Sequence, residues 1–119
     1  MEQVLNRRGI RKISLPVASP VAGAAITLYN ITPGRSAIIR RLSYINACGA
    51  ASILNIGQGL AGAFVNKMAP IYTLNGLGDN YGENELPAVE FQYTAALPAI
   101  TFQSTVAGIT VIIEVEEIG

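Results

Sequence analysis

Along most of this chain the side chains switch between apolar and polar from one position to the next. The closing segment shows it best. Ile109, Val111, Ile113 and Val115 fall on one face of an extended chain, and Thr110, Ile112, Glu114 and Glu116 fall on the other. Successive strand residues point to opposite faces, so this pattern predicts a strand with one buried side. The same period runs through Leu86 to Thr94, where Val89, Phe91 and Tyr93 oppose Glu90, Gln92 and Thr94. It recurs where Ile100 and Phe102 oppose Thr101 and Gln103. From Ala24 to Ile31, Ile26 and Leu28 share one face, and Thr27 and Tyr29 the other. Thr32-Pro33-Gly34 then predicts a turn, since proline fixes φ and glycine permits a positive one. Residues 51 to 57 and Ile71 to Leu74 read as short strands. Residues 63 to 69 read as strand or one helical turn, ended by Pro70. Residues 75 to 82 read as a loop by composition, and Gly108 punctuates the last two runs as a hairpin turn would. No helix of ten residues is indicated.

About eight short strands result. The expected fold is all-β: a single-domain antiparallel β-sandwich, jelly-roll-like, over residues 12–119, behind a polar N-terminal arm over residues 1–11.

One strand resists the pattern. In Arg35 to Asn46 one face reads Ile38, Arg40, Leu42, Tyr44, and the other reads Ala37, Ile39, Arg41, Ser43, Ile45. Each face carries an arginine among apolar residues, and an unpaired guanidinium facing a core is costly. Three resolutions present themselves. A bulge re-aims one arginine, one arginine reaches water at a strand end, or the outer face meets a neighbouring subunit carrying a carboxylate such as Glu114 or Glu116.

Composition sharpens that last possibility. Half of the 119 residues are hydrophobic and only 13% are charged. Charged side chains usually cover much of a small domain's surface, so sister copies or a larger partner are expected to cover part of this one. The net charge is zero, which gives no global attraction to nucleic acid or anionic lipid. The charges are segregated, with Arg7, Arg8, Arg11, Lys12, Arg35, Arg40 and Arg41 near the front. Asp79, Glu83, Glu85, Glu90, Glu114, Glu116 and Glu117 lie near the back. That division suits head-to-tail subunit contacts or pairing between the first and last strands; solvated loops and edges are the plain alternative. Residues 42 to 66 carry no charge, but four polar amides and four glycines interrupt them, unlike a membrane-spanning helix. The lone Cys48, among small residues, reads as a buried structural thiol and excludes an intrachain disulfide. The N-terminus lacks a signal-peptide apolar core, in keeping with synthesis in the cytoplasm.

Motifs for chemistry are thin. Gly57-Gln58-Gly59-Leu60-Ala61-Gly62 matches a dinucleotide-binding fingerprint, but Pro70 leaves no room for the crossover helix that presents its N-terminus to a pyrophosphate. The chain has no histidine, the commonest general base and metal ligand. Glu83/Glu85 and Glu114/Glu116 are same-face carboxylate pairs of the kind glycoside hydrolysis uses. A solvated acidic face explains them equally well, and the chain has no Trp as a sugar platform. Asp79, Asn80, Glu83 and Asn84 offer oxygen ligands without EF-hand spacing. No enzyme, cofactor or metal site is expected.

Ile31 to Leu42, the strand Ala51 to Gly57 with its closing Ile-Gly, and Ala107 to Glu117 form a further pattern. A Pro-Gly turn leads into a long strand, a strand ending in Ile-Gly follows, and an acidic strand closes the chain. This resembles the small jelly-roll virion proteins of tailed bacteriophages, particularly head decoration or cement proteins. The resemblance implies a non-enzymatic structural protein, made in the host cytoplasm and located on the virion. It would bind the major capsid protein or other virion subunits as a homo-oligomer, trimers favoured, with no nucleic-acid or membrane partner. The candidate interface residues are Arg7, Arg8, Arg11 and Lys12 along the basic N-terminal segment, with Arg40, Arg41, Tyr44, Ile112, Glu114 and Glu116. Two rival roles remain: a self-assembling shell subunit, and a sugar- or receptor-binding jelly-roll module. The second would stack rings on Tyr72, Tyr81 and Tyr93, with Asp79, Asn80 and Asn84 bonding hydroxyls.

Overall fold

A computed structural model of the chain describes residues 10–46, 51–60, 62–68, 71–73, 76–81 and 89–118. They form the strands β1 (Ile10–Ile13), β2 (Val17–Ala18), β3 (Ile26–Asn30), β4 (Ser36–Asn46), β5 (Ser52–Gln58), β6 (Val65–Asn66), β7 (Ile71–Thr73), β8 (Gly76–Tyr81), β9 (Glu90–Gln92), β10 (Ala99–Ser104) and β11 (Ile109–Ile118). All pairings are antiparallel.

Six of the eleven are halves of interrupted staves. β1 and β2 both lie on one side of β11, β8 and β9 both flank β4, and β6 and β7 both flank β5. Counted as eight staves in chain order, sheet A runs 1-8-3-6 and sheet B runs 2-7-4-5. That order is a jelly roll, two Greek keys folded into a double sheet. The connecting segments of the three broken staves contain Pro16, Pro70 and Pro87 in sequence. Proline cannot donate to a ladder and is confined to edges. At the first break Ser14 substitutes for a strand pair: its amide donates to the Ile113 carbonyl at 2.9 Å, and its hydroxyl accepts from the Ile113 amide at 3.0 Å. Leu15, 81% exposed, is turned out beside it.

The core lies between the sheets. Ile109, Val111, Ile113 and Val115 of β11 are fully buried, as are Leu42 of β4, Leu54 and Ile56 of β5, Phe91 of β9, and Ile100 and Phe102 of β10. Each such side chain contributes about 1.5–3 kcal/mol on leaving water. Buried polar groups are paired: Ser52 and Ser104 share a hydrogen bond of 2.8 Å, and Gln58 donates to the carbonyls of Gln92 and Leu97.

Several expectations need correction. Residues 76–81 are strand β8, paired with Leu42 to Asn46 of β4, and not a loop. Glycines show no alternation because they have no side chain to alternate, so the pairing was invisible to periodicity. Of the two readings of residues 63–69 the strand holds: β6 lies at Val65–Asn66, and the described residues 63–68 form no helix. Ile10 and Arg11, assigned to the arm, pair with Glu117 and Glu116 in β1, so the sheet begins earlier; residues 1–9, with Arg7 and Arg8, lie outside the described residues. Tyr29 packs against the core and does not share Thr27's face, because a register shift between Ile100 and Thr101 makes Leu28 an extra residue in β3. The uncharged run 42–66 is divided among β4, β5 and β6, and among the described residues no helix is long and apolar enough to cross a membrane.

Candidate interaction surface

The outer face of sheet A gathers most of the predicted interface residues. Its centre is the long pairing of β11 with β4, in which Arg41 lies opposite Glu114, Ser43 opposite Ile112 and Ile45 opposite Thr110. Between Glu114 and Val115 the register shifts, and Arg40 becomes an extra residue in β4. This bulge resolves the two-faced strand. Ahead of it Ala37 and Ile39 face the core, behind it Leu42, Tyr44 and Asn46 do, and both arginines belong to the outer face. Arg40 donates from Nε to Glu116 Oε1 at 2.7 Å. Arg11 on β1 reaches Glu114 at 3.7 Å.

The charges alternate by strand. β1 is basic (Arg11, Lys12), β11 acidic (Glu114, Glu116, Glu117), β4 basic (Arg40, Arg41), and β9 acidic (Glu90). The segregation seen along the sequence therefore comes from neighbouring strands of opposite sign, the first pairing with the last. Among these charges sit isoleucines. Ile13 is 70% and Ile45 43% exposed, and Ile112 is half-buried between them. Ile13, Arg41, Ser43, Ile112, Ile113 and Glu114 line a shallow depression of about 220 Å³. Tyr44, an interface candidate, belongs instead to the core, 8% exposed, because the bulge sets its phase inward.

Glu117 is the functional-looking residue that the sequence reading passed over. It continues the core-facing series after Val115 and is 1% exposed. The Tyr29 hydroxyl donates a short hydrogen bond to Oε2, the Thr32 amide donates to the same oxygen at 3.0 Å, and the Thr32 hydroxyl reaches Oε1 at 2.8 Å. Lys12 lies 3.5 Å from Oε1. One carboxylate so joins β1 and β11 of sheet A to β3 of sheet B and the turn after it. Gly34, at φ +84°, closes that turn, in which the Arg35 amide donates to the Thr32 carbonyl at 3.0 Å. Burial by itself raises the Glu117 carboxyl; the bonds from Tyr29 and Thr32 and the charge of Lys12 outweigh it and hold the group below the ordinary carboxylate range. The Tyr29 phenol is pushed up in turn, by burial first and then by its bond to Glu117. The signal was available, since period-two counting carried two residues further lands on Glu117.

The remaining motifs dissolve into structure. Gly57 and Gln58 belong to β5, and a Cβ on Gly57 would meet the Val65 carbonyl oxygen at 2.1 Å, so this glycine admits β6 and no phosphate. Glu114 and Glu116 are each engaged by an arginine. Tyr93 packs against the core. Asp79 and Asn80 fall in β8, while Glu83, Asn84, Glu85 and Cys48 lie outside the described residues. Among the described residues no three Cys, Asp or Glu cluster as metal ligands. No protein-family model and no curated protein sequence matches this chain.

Proposed function

We propose that the chain is a non-enzymatic structural protein of a virus particle, an oligomeric decoration or cement subunit that binds the capsid surface. Fold alone assigns no activity, so the weight rests on the outer face of sheet A. The observation that carries the reading is Ile13 and Ile45 standing exposed on that face, beside a depression walled by Arg41 and Glu114. Apolar anchors ringed by charge are what a protein–protein contact uses. The rigid double sheet supports a cement role, and the carboxylates Glu114, Glu116 and Glu117, each tied to a cation, support a structural over a catalytic role. Tyr93, half-buried against the core, is less open to stacking than the sugar-binding alternative requires.

Cosedimentation tests this. Purified chain is mixed with heads, stripped of accessory proteins, from the phage that encodes it. Saturable pelleting with the heads is expected, weakened by Ile13→Asp and Ile45→Asp together, which remove the exposed apolar anchors through which copies associate and so the avidity of the oligomer. A chain that stays in the supernatant at every ratio sinks the proposal, and hits on a glycan array would favour the sugar-binding role.

A further inference from the structure

The charge order of sheet A has a symmetry of its own. Across β1, β11, β4 and β9 the strands read basic, acidic, basic, acidic, with the β11–β4 boundary at the centre. A two-fold axis running along the strands at that boundary exchanges β11 with β4, β1 with β9, and the uncharged β2 with β8. At the end of the sheet that holds β1 and β9, each strand of one copy then lies over a strand of opposite charge in the other. We infer that the outer face of sheet A packs against the same face of a second copy about this axis. The inference rests on reading the chain as an assembling subunit and names the partner of that surface.

The register makes the match residue by residue. Residues opposite each other across β11 and β4 lie at one level along the axis, so each meets the other's counterpart. Arg41 comes over the second copy's Glu114. Ser43 comes over the second copy's Ile112, a small side chain beneath a large one, and Ser43 lines the depression of about 220 Å³. Ile45 comes over the second copy's Thr110. One further row, Arg11, Glu116, Ile38 and Glu90, runs across four strands, and the axis brings Arg11 over the second copy's Glu90. Arg11 and Glu90 are both exposed. A carboxylate accepts from more than one donor, so the Arg11–Glu114 pair within a copy and an Arg41–Glu114 pair between copies coexist. Twisted sheets stacked face to face cross at about 30°, which concentrates the contact on the 41–43 and 112–114 positions nearest the axis.

A charge-swap mixture is the test. Arg41→Glu and Glu114→Arg each place like charges together at both ends of a two-fold pair. Each variant alone should self-associate at least about tenfold more weakly than the unsubstituted chain. Mixed in equal amounts they should recover, because the mixed pair sets Glu against Arg at both ends; light scattering gives the mass and native mass spectrometry the mixed species. Ser43→Arg, which fills the depression, should abolish pairing whether or not the swaps fold well, with circular dichroism confirming its sheet. A mixture no stronger than its components, or an oligomer untouched by Ser43→Arg, overturns the inference and leaves capsid binding standing. An unsubstituted chain that pellets with heads as a monomer does the same. Failure to pellet overturns the wider reading instead.

Discussion

All the charged residues that fall in described strands lie in sheet A, and the five strands of sheet B hold none. The outer side of sheet B is wetted by neutral groups such as Thr27, Asn55 and Gln103, whereas sheet A presents arginine, glutamate and isoleucine side by side. A chain with few charges has two ways to use them. Spread evenly, they keep every surface apart from every other. Gathered on one sheet in alternating strands, they pair across the ladder, fix register and give that face a pattern another surface can match. Sheet B is held by burial and neutral hydrogen bonds such as Ser52–Ser104; sheet A adds ion pairs.

That contrast breaks most sharply in the core both sheets share. Phe102→Ala removes a fully buried ring of sheet B and should cost about 3–5 kcal/mol, with little dependence on salt, in denaturant unfolding.

Glu117 comes next, a charge of sheet A turned inward and buried. Glu117→Ala should cost about 2–4 kcal/mol, because Tyr29 and Thr32 lose their acceptor at a buried site. Its pH dependence has a definite sign. The folded carboxyl is held below its ordinary value, so its stabilisation is complete above the unfolded value of about 4.3 and is lost as pH falls through the folded one. Acid unfolding of Glu117→Gln should therefore be flatter across that window; an unchanged slope would assign the acid response elsewhere. Tyr29 runs the opposite way, its raised phenol stabilising below about pH 10 and losing that share as pH climbs through its folded value. Followed by tyrosinate absorbance, one of the five tyrosines should ionise late, and earlier in Glu117→Gln.

The smallest effects sharpen the comparison most. Arg40→Gln breaks a pair whose side chains are 29% and 15% exposed and should cost about 0.5–1 kcal/mol, shrinking in high salt. Asn55→Ala on sheet B should change stability by less than about 0.5 kcal/mol with no salt response. Equal salt responses at the two sites would erase the distinction between the sheets.

β11 was legible because four β-branched residues alternate with four polar or outward ones. The Thr32-Pro33-Gly34 turn was legible because its residues suit one backbone geometry. The conflict in β4 also announced itself, an arginine on each face, with a bulge among the remedies. What stayed hidden depends on distant partners. Nothing local in Gly76 to Tyr81 reveals pairing with β4, and the extra Leu28 that turns Tyr29 inward is defined only against β10. Of the surface, Ile112, Glu114 and Glu116 were placed on one face of β11 by counting, and their meeting with Arg41 depends on the pairing with β4. Tyr44 was misplaced because the count ran through an unseen bulge, and Glu117 was missed because a glutamate beside a glutamate reads as solvent-facing.

The interrupted staves constrain how copies can meet. Among the described residues three of the four sheet margins are interrupted, and an interrupted margin offers only short rows of amides and carbonyls for another chain to zip onto. Short rows disfavour ribbon-like growth through shared backbone ladders, and the broad flanks are the larger surfaces for a partner. A two-fold contact of the kind inferred above would be used up once it forms and would hold the assembly at a fixed size.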